Sequence, residues 1–391
     1  MSLRKFGKIK SIFSALALSL LVTGAQAAET IKIGINLPLS GGMKNLGSNS
    51  LEGAKIAKDE VNAQGGLLIG DKRYLVEFVE GDNQSNVEVA VREALSQISG
   101  ENVLGIVGPI ISSIAIPVGG ISESFKISMI SPTSTNPRTT QKRPFVFRAC
   151  FLDDFQGEVM ARFATRDLKA EKAAVLFDFD NAYPKGLAEF FKLSFEKEKG
   201  EGSVVFESWE SDASDLSKQI ARIVESDADV LFVPQYSSEL PNIFKQLEAG
   251  GWSKPVLGGD AWEASDLLEI CGESCKGQYF SSHFAALGAK GIAGDFVKKF
   301  NEVNGSTPTA FGGLGYDSAK LLMEAISRID GFSGNLFIDR AKIKEQMAAI
   351  KDFQGVSGVI NMNPSGDPLK GAVIIRITDT GEFESYTTVN P

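Results

Sequence analysis

Residues Thr30 to Leu37 alternate polar and apolar positions and stop at Pro38, the period-two pattern of a strand. A glycine-rich loop follows. Apolar Leu51, Ala54, Ile56, Ala57 and Val61 then recur at helical spacing and predict a helix over Ser50–Ala63. Asn49 and Glu52 have the spacing of a capping box at its start, and Gly65-Gly66 end it. The rhythm repeats: Tyr74–Glu80 reads as a strand, Val87–Ile98 as a helix and Val103–Val107 as a strand. A helix opens near Ser112, and Ile127–Ile130 is a short buried strand. After Arg148 the series restarts, with helices at Gln156–Leu168, Gly186–Lys197, Leu216–Val224 and Glu239–Ala249. The strands between them are Lys172–Phe177, Ser203–Glu207, Val230–Val233 and Pro255–Leu257. Strands alternating with helices of this length predict parallel sheets built from βαβ units. The series occurs twice, separated by Pro144–Phe151, which predicts an α/β protein of two doubly wound parallel-sheet lobes. Helices at Ile292–Val303 and Asp317–Ile329, with strands near Val359–Met362 and Ala372–Thr378, are too few for a third domain and complete the two lobes.

The first residues add a compartment. Arg4, Lys5, Lys8 and Lys10 precede an apolar stretch from Ser11 to Gly24, and Ala25-Gln26-Ala27 offers the small residues of a cleavage site. At about 14 residues the stretch is too short to span a bilayer. No cysteine follows to carry a lipid. Residues 1–27 therefore read as a cleaved signal peptide, and the mature chain as a soluble periplasmic protein. About 364 residues remain, more than one hydrophobic core usually serves. Removing four positive charges takes the net charge from −9 to about −13. No long basic cluster offsets it, so nucleic acid and anionic membrane are poor partners, whereas a zwitterion is not excluded. In an oxidising compartment Cys271 and Cys275 can bridge the short Gly-Glu-Ser loop as a local staple, and Cys150 reads as a small buried hydrophobe.

Several chemistries are removed by what is missing. His283 is the single histidine, and no Gly-x-Ser-x-Gly elbow accompanies it, which argues against hydrolase triads. One histidine and three cysteines do not assemble an ordinary zinc site. No phosphate loop or dinucleotide fingerprint follows the first strand, so no cofactor is expected. A packing or hydrogen-bonding role suits His283 better than catalysis. Acidic pairs such as Asp153-Asp154 and Asp178/Asp180 keep one enzymatic alternative open.

The segments that follow the strands carry a resemblance. Leu37-Pro38-Leu39-Ser40-Gly41, Gly108-Pro109-Ile110-Ile111-Ser112-Ser113 and Ile130-Ser131-Pro132-Thr133-Ser134-Thr135-Asn136-Pro137 come first. Phe147-Arg148, Asn181-Ala182-Tyr183 and Gly258-Gly259-Asp260 complete the set. In order and spacing these resemble the periplasmic leucine/isoleucine/valine-binding protein family, the type I periplasmic binding fold, over essentially the whole mature chain. The resemblance implies two discontinuous lobes joined by a three-stranded hinge: 28–147 with 282–370, and 148–281 with 371–391. It implies a ligand in the interlobe cleft, delivered by a monomeric receptor to an inner-membrane ABC permease.

Residue by residue, the resemblance implies that Ser112 and Ser113, at a helix start, receive a ligand carboxylate, a role that unpaired N–H groups suit. Thr133, Ser134 and Thr135 follow the next strand and present backbone and hydroxyl groups. Asp260 faces the α-ammonium, where better-known members carry the longer Glu. Tyr183 and Tyr236 cover the ligand, while Leu46, in place of an aromatic, and Phe311 line its side-chain pocket. Trp252 and Trp262 lie near the same loops. The shorter Asp260 and the smaller Leu46 keep a second ligand class open: an aromatic acid, an amide, urea or a short peptide. A sensor module is a third reading, against which stands the lack of any attached signalling segment.

Overall fold

The computed structural model describes residues 29–390, so the signal-peptide reading of residues 1–27 lies outside the described residues. The strands in chain order start with β1 (Glu29–Leu37), β2 (Leu67–Ile69), β3 (Lys72–Asp82), β4 (Gly105–Val107), β5 (Ser128–Ser131) and β6 (Val146–Arg148). Between them run helices α1 (Lys44–Ala63), α2 (Val87–Leu95) and α3 (Ser112–Ser124). Next come α4 (Asp153–Arg166), β7 (Ala173–Asp178), α5 (Ala182–Lys199), β8 (Val204–Trp209), α6 (Ser217–Glu225) and β9 (Val230–Val233). They are followed by α7 (Leu240–Ala249), β10 (Val256–Gly258), α8 (Leu267–Cys271) and β11 (Tyr279–Ser282). The chain ends with α9 (Gly291–Asn304), α10 (Ala310–Ser327), α11 (Leu336–Ala348) and strands β12 (Phe353–Gly355), β13 (Gly358–Ile360), β14 (Ala372–Ile377) and β15 (Phe383–Val389).

Two sheets result. The first has strand order β2-β3-β1-β4-β5-β6, parallel except for the β2–β3 hairpin. The second has order β15-β14-β11-β10-β9-β7-β8, parallel from β11 to β8, with β14 and β15 antiparallel at one edge. Every residue of β7 and of β9 is buried, which is why Ala173–Phe177 and Val230–Val233 are unbroken apolar runs. Helices α9 to α11 return to the first sheet, and α10 lies directly on α1. A Cβ on Gly53 would meet the Gly312 carbonyl oxygen at 1.9 Å, and one on Gly315 the Ser50 oxygen at 2.1 Å, so only glycine permits this approach.

The chain passes between the sheets along residues 149–152, 283–290 and 361–371. Arg148, fully buried at the head of the first crossover, ties it to the third. Its Nε donates to Asp367 at 2.6 Å. Its guanidinium also donates to the carbonyls of Ser134 at 2.6 Å and Asn136 at 3.0 Å, and to Thr140 Oγ1 at 2.7 Å. Thr140 Oγ1 in turn donates a hydrogen bond to Asp367 at 2.8 Å. Five donors in a rigid fork let one side chain hold a crossover and the 131–137 loop together.

Several local expectations give way to tertiary contacts. Helix α1 starts at Lys44, six residues before its expected start, and the expected cap Asn49 is buried inside it. Its Oδ1 accepts instead from Thr309 N at 3.0 Å and Thr309 Oγ1 at 2.9 Å, which fixes the start of α10. Helix α10 begins at Ala310, ahead of the expected Asp317, because Gly312, Gly313 and Gly315 erase the apolar period there while packing needs them. Helix α11 has no counterpart among the expectations, since Phe337 and Ile338 point to solvent and blur its apolar face. Edge strand β15 alternates only weakly and was not expected either.

Replacing Arg148 by Ala leaves Asp367 buried without its cation, and should cost about 3–5 kcal/mol of unfolding free energy. Urea unfolding of the variant against wild type measures it.

Candidate ligand site between the two sheets

Register places the site. Val107 of β4 pairs with Ile130 of β5, so the loops leaving these strands, 108–111 and 131–137, emerge side by side. Gly258 of β10 pairs with Val233 of β9 and Phe280 of β11, which aligns the loops bearing Tyr236, Asp260 and His283 in the same way. Both sets sit beyond the carboxyl ends of parallel strands, where open α/β sheets bind ligands. They face each other across one narrow, almost filled cavity.

Leu46, Ile110, Ile111, Ser112, Thr133 and Phe311 line it from the first sheet's side, and Tyr183, Tyr236, Asp260 and Ala261 from the second's. Seven residues singled out from sequence thus meet in one place, and all seven are between 2 % and 5 % exposed. The two sides also touch at the rim, where Asn45 bonds Asp266.

Helix α3 begins at Ser112 with no side-chain cap and no acidic residue in its first turn, so no negative charge neutralises its positive pole, and the Tyr236 hydroxyl from the other half meets the Ser112 N–H. Ser134, expected to touch ligand, instead supports Ser112. Its Oγ donates to Ser112 Oγ at 3.0 Å and lies 2.7 Å from Thr139 Oγ1, which leaves the Ser112 proton free to donate. Ser113 is the next residue of the helix and does not line the cavity. Thr135 lies behind it, buried, with Oγ1 unpartnered and its carbonyl accepting from Asp153 N at 3.0 Å. Thr133 Oγ1 donates to the Ile110 carbonyl at 3.1 Å, binding the two loops to each other.

On the opposite wall Asp260 accepts from Gln156 Nε2 at 2.9 Å and Tyr183 Oη at 2.8 Å through Oδ1, and its Oδ2 lies 3.0 Å from His283 Nε2. Tyr183 and Tyr236 pack with ring centroids 5.2 Å apart. Burial holds both phenols well above their ordinary pKa. Beside Asp260, both oxygens of Asp153 and Gln156 Oε1 are buried without partners. Burial raises Asp153 to about 8. Glu263, also raised to about 8 by burial, accepts from Ser282 Oγ and from Ala310 N at 2.7 Å, so it caps α10 from the other half.

Asp153, Gln156, Glu263, His283 and Arg148 were not read as site residues. The available signal was Asp153 and Gln156 at helical spacing on a face that packs inward, where polar side chains need a reason. Of the two tryptophans, Trp262 does end the turn that carries Asp260 and Ala261, whereas Trp252 lies elsewhere. Trp262 is enclosed in the second half's core, its Nε1 donating to Val233 O at 2.9 Å, and Trp252 lines a separate hollow beside Phe244 and Glu248. Cys271 and Cys275 are bonded, with Cα atoms 5.9 Å apart. Cys150 is buried and burial pushes its thiol up to about 12. Among the described residues no cluster of His, Cys, Asp and Glu has the makings of a metal site, and no helix is long and apolar enough to cross a membrane.

This paired-loop architecture is matched by known proteins. The family model described as periplasmic binding protein fits residues 30–382. The chain belongs to the periplasmic binding protein family. Among this receptor's relatives, Leu/Ile/Val-binding protein homolog 3 of Brucella melitensis is 30% identical over 69% of the chain and 72% of the relative. The crystal structure of leucine binding protein LivK from Thermotoga maritima is 33% identical with a TM-score of 0.84, covering 93% of this chain and 99% of that one. The isoleucine complex of LivJ from Streptococcus pneumoniae is 27% identical with a TM-score of 0.82, over 93% and 100% of the two chains. These relatives are solute-binding proteins and not enzymes, so the acidic pairs carry no catalytic role; Asp178 instead accepts from Ser211 Oγ at 2.6 Å.

Asp153 gives a stability test. Its carboxyl keeps a proton in the folded protein up to about pH 8, but loses it near pH 3.9 when unfolded. Folding stability tied to this group is therefore complete below about pH 4 and lost as pH rises through about 8. Asp153→Asn should melt at the wild-type temperature near pH 4 and above it near pH 9, as read by a thermal melt across pH. Glu263 drifts in the same direction in both proteins and cancels.

Proposed function

We propose that the protein is the periplasmic receptor of an ABC importer, closing as a monomer on one branched-chain amino acid and presenting it to an inner-membrane permease. The observation that carries this reading is the polarity of the cavity. The N-terminus of α3 with the Ser112 hydroxyl stands on one wall and Asp260 on the other, and Leu46, Ile110, Ile111 and Phe311 lie between. A zwitterion matches the two poles and an aliphatic side chain matches the wall. Relatives named for leucine, isoleucine and valine support the same side-chain class.

The alternative solutes fit less well. No Lys or Arg lines the cavity, so a solute without a cationic group would leave Asp260 buried with no positive partner. Export through residues 1–27 would put the receptor in the periplasm, where its cleft meets imported solute.

Binding and closure are then one event, because the ligand's two charged ends bond loops from different halves. Titration calorimetry should find saturable binding of L-leucine without turnover. Each buried CH₂ contributes about 0.8 kcal/mol, so leucine should bind tens of times more tightly than alanine. Asp260→Ala should weaken leucine binding by about 10- to 150-fold while the protein stays folded. 4-Methylpentanoate, which is leucine without its amine, should lose as much; equal binding of that acid would favour the second ligand class.

A further inference from the structure

We infer that His283 is a positioning residue for the ligand-facing carboxylate of Asp260, gripped between two crossovers so that the state of the hinge and the aim of that carboxylate are linked. The inference rests on the amino-acid reading above. Three observations converge on it. Nε2 lies 3.0 Å from Asp260 Oδ2, while Oδ1 is already shared by Gln156 and Tyr183, so His283 alone among the described residues orients the second oxygen. The imidazole stacks on Phe151, with centroids 3.8 Å apart and planes 27° apart. Phe151 belongs to the first crossover and His283 to the second, so the stack joins two of the segments that connect the halves. Nδ1 is buried without a partner, which assigns the proton to Nε2 and makes the ring the donor. The side chain is 1% exposed, so water does not substitute for it.

The charged groups acting on the ring are Asp260 and, from the third crossover, Lys370. Behind Asp260 stand Asp153 on α4 and Glu263 after β10, with Cys150 of the first crossover in the same cluster. Burial foremost, then Lys370, disfavour the imidazolium; Asp260 favours it; the balance leaves His283 below its ordinary pKa. A ligand ammonium on Asp260 adds a further positive charge beside the ring. Ligand and proton therefore compete, and affinity should fall on the acid side as His283 charges.

Titration calorimetry with L-leucine from about pH 5 to about pH 8 on wild type, His283→Ala and His283→Gln tests this. The Ala variant should weaken binding about tenfold or more near pH 7.5 while keeping a cooperative melt. The Gln variant, whose amide N–H can take the place of Nε2–H, should recover to within about threefold. It should also lose the extra acid-side weakening seen in wild type, although Asp153, Glu263 and Asp260 remain. Binding by His283→Ala within about twofold of wild type overturns the inference, as do superimposable pH profiles of wild type and His283→Gln. If the Ala variant does not fold, the Gln profile decides alone: an acid-side loss confined to wild type supports the role, and matched profiles remove it. A wild type that binds no branched-chain amino acid overturns the proposed function and this inference together; a wild type that binds with indifferent His283 variants overturns only the inference.

Discussion

A carboxylate buried at the seam of two protein halves is the constraint around which this molecule is organised. Asp260 is 3% exposed, and a buried ionised group persists only where hydrogen bonds replace its water. The three donors come from three different places: Gln156 on α4, Tyr183 at the start of α5 and His283 on a crossover. Their convergence is possible because β7, β9, β10 and β11 are parallel neighbours whose carboxyl ends form one edge. Gly259 belongs to the same requirement, since a Cβ there would lie 2.3 Å from Tyr183 Oη.

The facing half meets a complementary demand. Ser112 opens α3 with no acidic residue in its first turn, and its hydroxyl is set by Ser134, which in turn rests on Thr139. The loop that carries Ser134 has its carbonyls held by Arg148 from beneath. Arg148 is also the residue that binds the first crossover to the third through Asp367, so the ligand loop and the hinge share one anchor. Glu263 repeats the device on the other side by capping α10 across the seam. The site and the hinge are thus built from the same buried polar groups. Motion of one half cannot leave the ligand loops unaffected.

Six of the seven residues singled out from sequence converge on the cavity because each lies in a loop that leaves a strand or in the first turn of the helix after it, and a parallel sheet gathers such positions at one edge; Phe311 arrives instead on the first turn of α10, which follows another helix. Ser113, Ser134 and Thr135 share the same loops yet stand behind the lining. Facing is decided by the turn of a loop, which neighbouring residue types do not encode. His283 was read as a packing or hydrogen-bonding residue, and it does both. Its partner, 23 residues away, could not be seen without the β10–β11 pairing.

What the chain determined by itself is what local physics can carry: alternating and helical apolar periods, hence two parallel-sheet series, and a scarcity of histidine and cysteine that argues against zinc and triad chemistry. What only the tertiary structure decided is which polar side chains spend their hydrogen bonds at long range. Asn49 has the look of a helix cap and instead holds Thr309, 260 residues away; Arg148 has the look of a strand end and instead binds Asp367, 219 residues away. Period and propensity act over a few residues, whereas a buried polar group is satisfied by whatever strand order and chain crossing bring beside it.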